Sequence, residues 1–171
     1  MNFFSDIRRL LLILWLGGAC FFSFAVAPSA FAVLPSREIA GAIVSRTLSI
    51  VNYSGIVIGL ILLATAFVGS QTNTNRFRLW TERFLLLILT LACAVGQFVI
   101  ALWLALIKLQ IGRPIDEVGV DDPLRIQFNN LHQYSVWVLI AAMSAALIAY
   151  FFIVRRETKV LTTEKTNVEF N

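Results

Sequence analysis

Arg125, Asn129, His132 and Ser135 follow one another at spacings of four, three and three, which places them on one stripe of an α-helix. His132 is the single histidine of the chain. An imidazole there could titrate near neutral pH or bind a metal or a ligand. Phe128, Leu131 and Val138 lie alongside, so the stripe could face other helices. The bland alternative is an interfacial histidine hydrogen-bonded to a neighbouring helix or a lipid headgroup. Arg46 stands two residues ahead of an uninterrupted apolar run. It could pair with Asp116, Glu117, Asp121 or Asp122 and close a lid, as could Arg125, or it could simply extend toward headgroups. Gln97 sits near the middle of another apolar run, where an amide either makes an interhelical hydrogen bond or lines a polar path.

Other chemistries find no support. No Cys/His pair has zinc-site spacing, and one histidine cannot supply both axial ligands of a bis-His haem. Gly17-Gly18-Ala19-Cys20 lacks the Lys-Ser/Thr ending of a phosphate loop. The carboxylate pairs Asp116-Glu117 and Asp121-Asp122 share one connecting segment, where turn formation and solvation explain them. The expectation is a protein without enzymatic activity, cofactor or metal centre.

The elements that hold these residues are set by composition. Of 171 residues, 58% are hydrophobic and only 14% charged, and the mean hydropathy is +0.80. A soluble domain of this length would need more polar surface. The excess lies in four uncharged stretches, each close to the roughly 20 residues that cross a bilayer core of about 30 Å. In lipid such stretches must be helices, because no water satisfies free backbone groups. The expected fold is therefore all-α: an integral membrane four-helix bundle occupying residues 1–156. Its spans fall at about 10–34, 44–68, 84–107 and 135–154, and 157–171 form a polar, flexible tail.

Basic flanks set the orientation. Arg8, Arg9, Arg76, Arg78, Arg83, Arg155, Arg156, Lys159 and Lys165 fall on one side. Arg37, Arg46, Lys108, Arg113 and Arg125 fall on the other, with the acidic connection. This bias predicts both termini in the cytoplasm, and the expected membrane is a bacterial inner membrane. It also accounts for the net charge of +4 without a nucleic-acid partner. Asp122 and Pro123 read as the N-cap and first residue of the last helix, which would then extend beyond the bilayer on the outer side. Ser36 similarly opens an early entry into the second helix.

Small residues mark where helices can approach closely. The first span offers Gly17 and Gly18 with a ridge of Ala19, Ser23 and Ala27; the second has Gly55 and Gly59; the fourth has Ala141, Ala145 and Ala149. Cys20 and Cys93 fall inside apolar spans and read as small packing residues rather than a disulfide. Ala30-Phe31-Ala32 has the small-x-small form of a signal-peptidase site. The apolar run before it exceeds the usual signal core of about 7–15 residues, so the segment reads as a retained first helix, kinked at Pro28 and stopped at Pro35.

Three stretches carry a family resemblance. They are the Gly-aromatic first helix ending in Phe31-x-x-Leu34-Pro35, the run Val51-Asn52-Tyr53-Ser54-Gly55, and Arg125-x-x-Phe128-x-x-Leu131-His132-x-x-Ser135. Together they resemble the transmembrane-protein-205-like family, small four-helix membrane proteins of bacteria and eukaryotes with no settled biochemical role. The resemblance implies a link to resistance against metal-containing drugs, and related four-helix modules handle copper. This chain departs from a copper path, since Met143, Cys20 and Cys93 are isolated soft ligands. Two functions stay open. One is binding or helping to move a small solute or metal ion through a site at the outer mouth, formed by His132, Arg125, Asn129, Ser135, Arg46 and Gln97. The other is a structural subunit that docks further membrane subunits or a second copy of itself.

Overall fold

The computed structural model describes the backbone of residues 3–68 and 76–169, and side chains at 6–66, 76–77 and 79–154. Among the described residues every regular element is helical. Four helical segments are long and apolar enough to cross a membrane: Asp6–Val33, Arg37–Ala66, Leu79–Ile111 and Pro123–Val154. Only 22–28% of each most apolar window is buried inside the bundle. Many large apolar side chains of the spans are exposed, among them Leu14, Phe24, Ile50, Leu60, Leu91 and Trp137, as apolar surface can be when lipid is the solvent.

The first span consists of α1 (Phe3–Phe21), a π turn (Phe22–Val26) and α2 (Ala27–Val33). Pro28 has no N–H to give, and just before it the Ala27 N–H reaches back five residues to the Phe22 carbonyl. The span ends where Leu34 becomes extended ahead of Pro35. Ser36 Oγ then accepts the Ile39 N–H at 3.2 Å, starting α3 (Arg37–Val68) well before the apolar run. Of the second connection, residues 69–75 lie outside the described residues.

The third span is α4 (Arg76–Val95), a second π turn (Gly96–Ile100) and α5 (Ala101–Ile111). It stops at Gly112, whose φ of 65° is left-handed and whose N–H returns to the Lys108 carbonyl, a conformation glycine adopts at little cost. The acidic connection holds one short 3-10 turn, Ile115–Glu117. Asp122 then caps α6 (Pro123–Glu169), accepting the Leu124 N–H at 2.8 Å. The helical backbone of α6 runs through the stretch expected as a flexible tail, as far as Glu169.

The spans form a ring in which each packs on its sequence neighbours, and α6 closes onto α1. Leu12, Trp15, Ala19 and Phe22 meet Val51 and Leu62, Leu86, Leu89 and Cys93, and Ala142, Ala146 and Ala149 at the centre. Hydrophobic burial does not drive association between helices in lipid, so close backbone approach and dispersion contact must. A Cβ at Gly55 would lie 2.7 Å from Trp15 Nε1, and one at Gly59 would strike the Thr90 hydroxyl. Both glycines therefore pack inside the bundle. Gly17 and Gly18 do not: a Cβ at either meets nothing within 4 Å. Ser23 bonds the Ala19 carbonyl at 2.8 Å and lies 3.9 Å from Met143 Sδ, joining the first and last spans. On α6 the buried ridge is Ala142, Ala145, Ala146 and Ala149, whereas Ala141 is exposed. Ala145 and Ala149 of the expected ridge lie on this face, with Ala142 in the place of Ala141.

Candidate functional site

A side-open groove of about 600 Å³ lies between α3 and the second half of the third span. On α3, Ala42, Ser45, Arg46, Ser49 and Asn52 line it at helical spacing. Facing them are Gln97 on the π turn and Ala101, Ala105 and Lys108 on α5, and Ser135 of α6 reaches its edge. Its origin is visible in the packing. Helix α3 lies against α4 and the π turn, while α5 packs on α6. The third span thus diverges from α3 beyond Gly96, and the small residues on both sides leave the gap unfilled. A π turn inserts an extra residue per turn and so redirects a helix face; such turns are frequent at functional sites.

The deep end is polar. Asn52 is only 5% exposed, and its amide has no hydrogen-bond partner among the described residues. A Cβ placed on Gly96 would come within 3.2 Å of Asn52 Nδ2 and 3.5 Å of Oδ1. Gln97 Oε1 is likewise buried without a partner. An unsatisfied buried polar group costs about 1–3 kcal/mol, more acutely where no water is at hand. Gln97 Oε1 carries that cost as a fully buried atom, while the Asn52 amide, without a hydrogen bond among the described residues, borders the groove.

The mouth is cationic. Arg46 and Lys108 are exposed, and neither pairs with an acid among the described residues. Arg46 stands six residues, about 9 Å of helix rise, from Asn52; Lys108 stands eleven residues, about 16 Å, from Gln97. Across the same two helices Tyr53 and Phe98 meet edge to face, with centroids 6.0 Å apart.

The stripe read from sequence on α6 is divided. Ser135 borders the groove and donates its hydroxyl to the His132 carbonyl at 2.7 Å. His132 lies outside it, its exposed ring parallel to Phe128 with centroids 6.5 Å apart. Lys108 Nζ is 5.6 Å from the centre of the same Phe128 ring, tying α5 to α6. Arg125 turns back to donate to the Val118 carbonyl in the acidic connection, and Asn129 is exposed. Among the described residues no acid pairs with Arg46 to form the expected lid: Asp116 pairs with Arg37 at 3.7 Å, Asp122 is occupied as a cap, and neither Glu117 nor Asp121 reaches Arg46.

Arg46, Gln97 and Ser135 are thus brought together, while His132, Arg125 and Asn129 are not. Asn52 and Lys108 join the site in their place. Asn52 carried a readable signal, an amide within an apolar span, the same feature that marked Gln97. Among the described residues no three His, Cys, Asp or Glu side chains converge as metal ligands, and Cys20 and Cys93 are both free thiols.

At the opposite end, Arg8 and Glu82 form an ion pair whose side chains are 12% and 4% exposed. Arg83 donates to the Ala66 carbonyl at 2.9 Å. These contacts tie α1 to α4 and α4 to α3 at that end.

Four membrane-length apolar helices enclosing such a groove define a small multi-pass membrane protein. Residues 10–113 match the family model of a domain of unknown function, DUF4149, and the chain belongs to that family. The match spans the first three apolar helices and takes in Arg46, Asn52, Gln97 and Lys108. No curated protein and no solved structure matches the chain.

Proposed function

We propose that this protein is a non-enzymatic membrane protein that binds a small solute in the groove between α3 and α5 and helps it enter or cross the bilayer. The observation that carries this reading is the pair of groove-lining amides, the nearly buried Asn52 and Gln97 with its buried, partnerless Oε1, at the deep end of an open groove within membrane-length helices. Polar groups held at that depth are expensive and are characteristic of solute and ion pathways. The basic flanks support placing both termini in the cytoplasm. The mouth at Arg46 and Lys108 then opens outward, and α6 begins beyond the outer surface. The likeness to the transmembrane-protein-205-like family fits a transport or resistance role, with a polar solute favoured over a soft metal ion. Reconstituted into liposomes, the full chain should pass a subset of small polar solutes. Asn52→Leu and Gln97→Leu should abolish that flux at unchanged abundance and melting temperature; unchanged flux in both would refute the site.

A second reading has its own observation. Gly17 and Gly18 lie open beside Phe21 and Phe24, which are 65% and 80% exposed. A further membrane helix or a second copy could dock there as a subunit contact. Gentle extraction should then recover a stoichiometric partner, lost on Gly18→Leu; a lone monomer would refute it.

A further inference from the structure

We infer that the groove takes an oxoanionic group of the phosphate type, with Arg46 and Lys108 as charge partners and the Asn52 amide as a buried hydrogen-bond donor. This rests on the solute-binding reading above and names its ligand class. Among the described residues every formally charged side chain lining the groove is cationic, and no carboxylate lines it. Of the carboxylates that could have neutralised the mouth, Asp116 holds Arg37 and Asp122 holds the start of α6, and neither Glu117 nor Asp121 pairs with Arg46 or Lys108. Arg46 and Lys108 therefore present uncompensated positive charge where the groove opens, which attracts anions and repels metal cations.

Arginine forks and lysine ammonium groups are the usual partners of phosphate oxygens, and their long stems let both heads bend toward the groove axis. Below them Asn52 is 5% exposed and has no partner among the described residues. Its N–H groups are thus available to an acceptor that enters. The hydroxyls of Ser49 and Ser135 already donate to the backbone carbonyls of Ser45 and His132. The amides of Asn52 and Gln97 supply the side-chain N–H donors beneath the charges. The same chemistry is presented by free phosphate and by the phosphodiester of an anionic lipid, which could enter sideways from the bilayer past Tyr53 and Phe98.

The test uses the purified full chain, delipidated in a maltoside detergent, with radiolabelled inorganic phosphate in one arm and phosphatidylglycerol in the other. Saturable binding of either is expected, and the arm that binds identifies the source. Arg46→Gln and Lys108→Gln should each weaken it about tenfold, the loss of one charge-assisted contact. Arg46→Lys should retain most of it, and Asn52→Leu should abolish it with melting unchanged. The inference is overturned if neither probe binds, or if binding is indifferent to both glutamine substitutions. Glycerol serves as a neutral control. Glycerol flux into liposomes holding the same protein that depends on Asn52, with no phosphate or lipid binding in detergent, would overturn the oxoanion and leave the solute groove standing. Indifference of every probe to Asn52 would overturn both.

Discussion

Asn52 on α3 rests its amide against the backbone of Gly96, close enough that a Cβ there would lie 3.2 Å from Nδ2. The contact brings a polar side chain to the start of a π turn, with no hydrogen bond to hold it there. A residue kept for structure would be satisfied; one kept for a ligand can be a net cost to the fold. Asn52→Leu, close in shape, should therefore leave stability unchanged or raise it by roughly 1 kcal/mol, read as the midpoint of unfolding in mixed micelles. A loss of several kcal/mol would show that the amide has a structural partner.

The glycines separate by what faces them. Gly55→Ala would drive its methyl against Cys93 Sγ and Trp15 Nε1, and Gly59→Ala against the Thr90 side chain. Trp15 is fixed by its own bond to the Val51 carbonyl at 2.9 Å, so it cannot easily yield. Overpacking of this kind costs about 1–3 kcal/mol, and each variant should melt earlier by that measure. Gly17→Ala and Gly18→Ala, open to the exterior, should melt with the wild type. Equal losses at all four positions would contradict the packing.

Hydropathy made the four spans legible, because a lipid solvent demands long apolar helices and little else produces them. Local capping chemistry made Ser36 and the Asp122-Pro123 start of α6 legible as well. Close approach at Gly55 and Gly59 followed from small-residue spacing. Spacing on α6 told which residues share a face but not which neighbour that face meets. The stripe from Arg125 to Ser135 is consequently shared among the acidic connection, Phe128 and the groove. The π turn at Gly96 was not legible, since no proline marks it, and so neither was the divergence that opens the groove. Glu82 was also missed, because its partner lies 74 residues away.

Arg125 belongs to the connection rather than to the groove. Its guanidinium donates to the carbonyl of Val118, a residue only 3% exposed, and thereby folds the 112–122 segment onto the start of α6. A hydrogen bond from a charged donor contributes about 1.5–3 kcal/mol. Arg125→Ala should release that local fold: amide exchange at 115–119 should accelerate about tenfold or more, while the thermal midpoint of the bundle stays in place. If solute binding fell and exchange did not change, Arg125 would be a ligand-contacting residue after all.

Arg8 and Glu82 pin α1 to α4 at the end remote from the groove, with both side chains nearly buried. Removing the cation strands a carboxylate that is 3% exposed. The desolvation it suffered on folding is then uncompensated, and breaking such a pair costs about 3–5 kcal/mol. Arg8→Met alone should thus be strongly destabilising, and Glu82→Gln alone should be milder, since a neutral amide is left in its place. The double replacement Arg8→Met with Glu82→Leu substitutes apolar groups of similar volume for both charges, and such exchanges are often neutral or stabilising. A double-mutant cycle on Arg8→Met and Glu82→Leu, followed by unfolding in mixed micelles, should give a favourable coupling well above the roughly 0.5 kcal/mol expected of independent sites. Additive losses would mean that the two charges are each solvated separately and that this end of the bundle is held by packing alone.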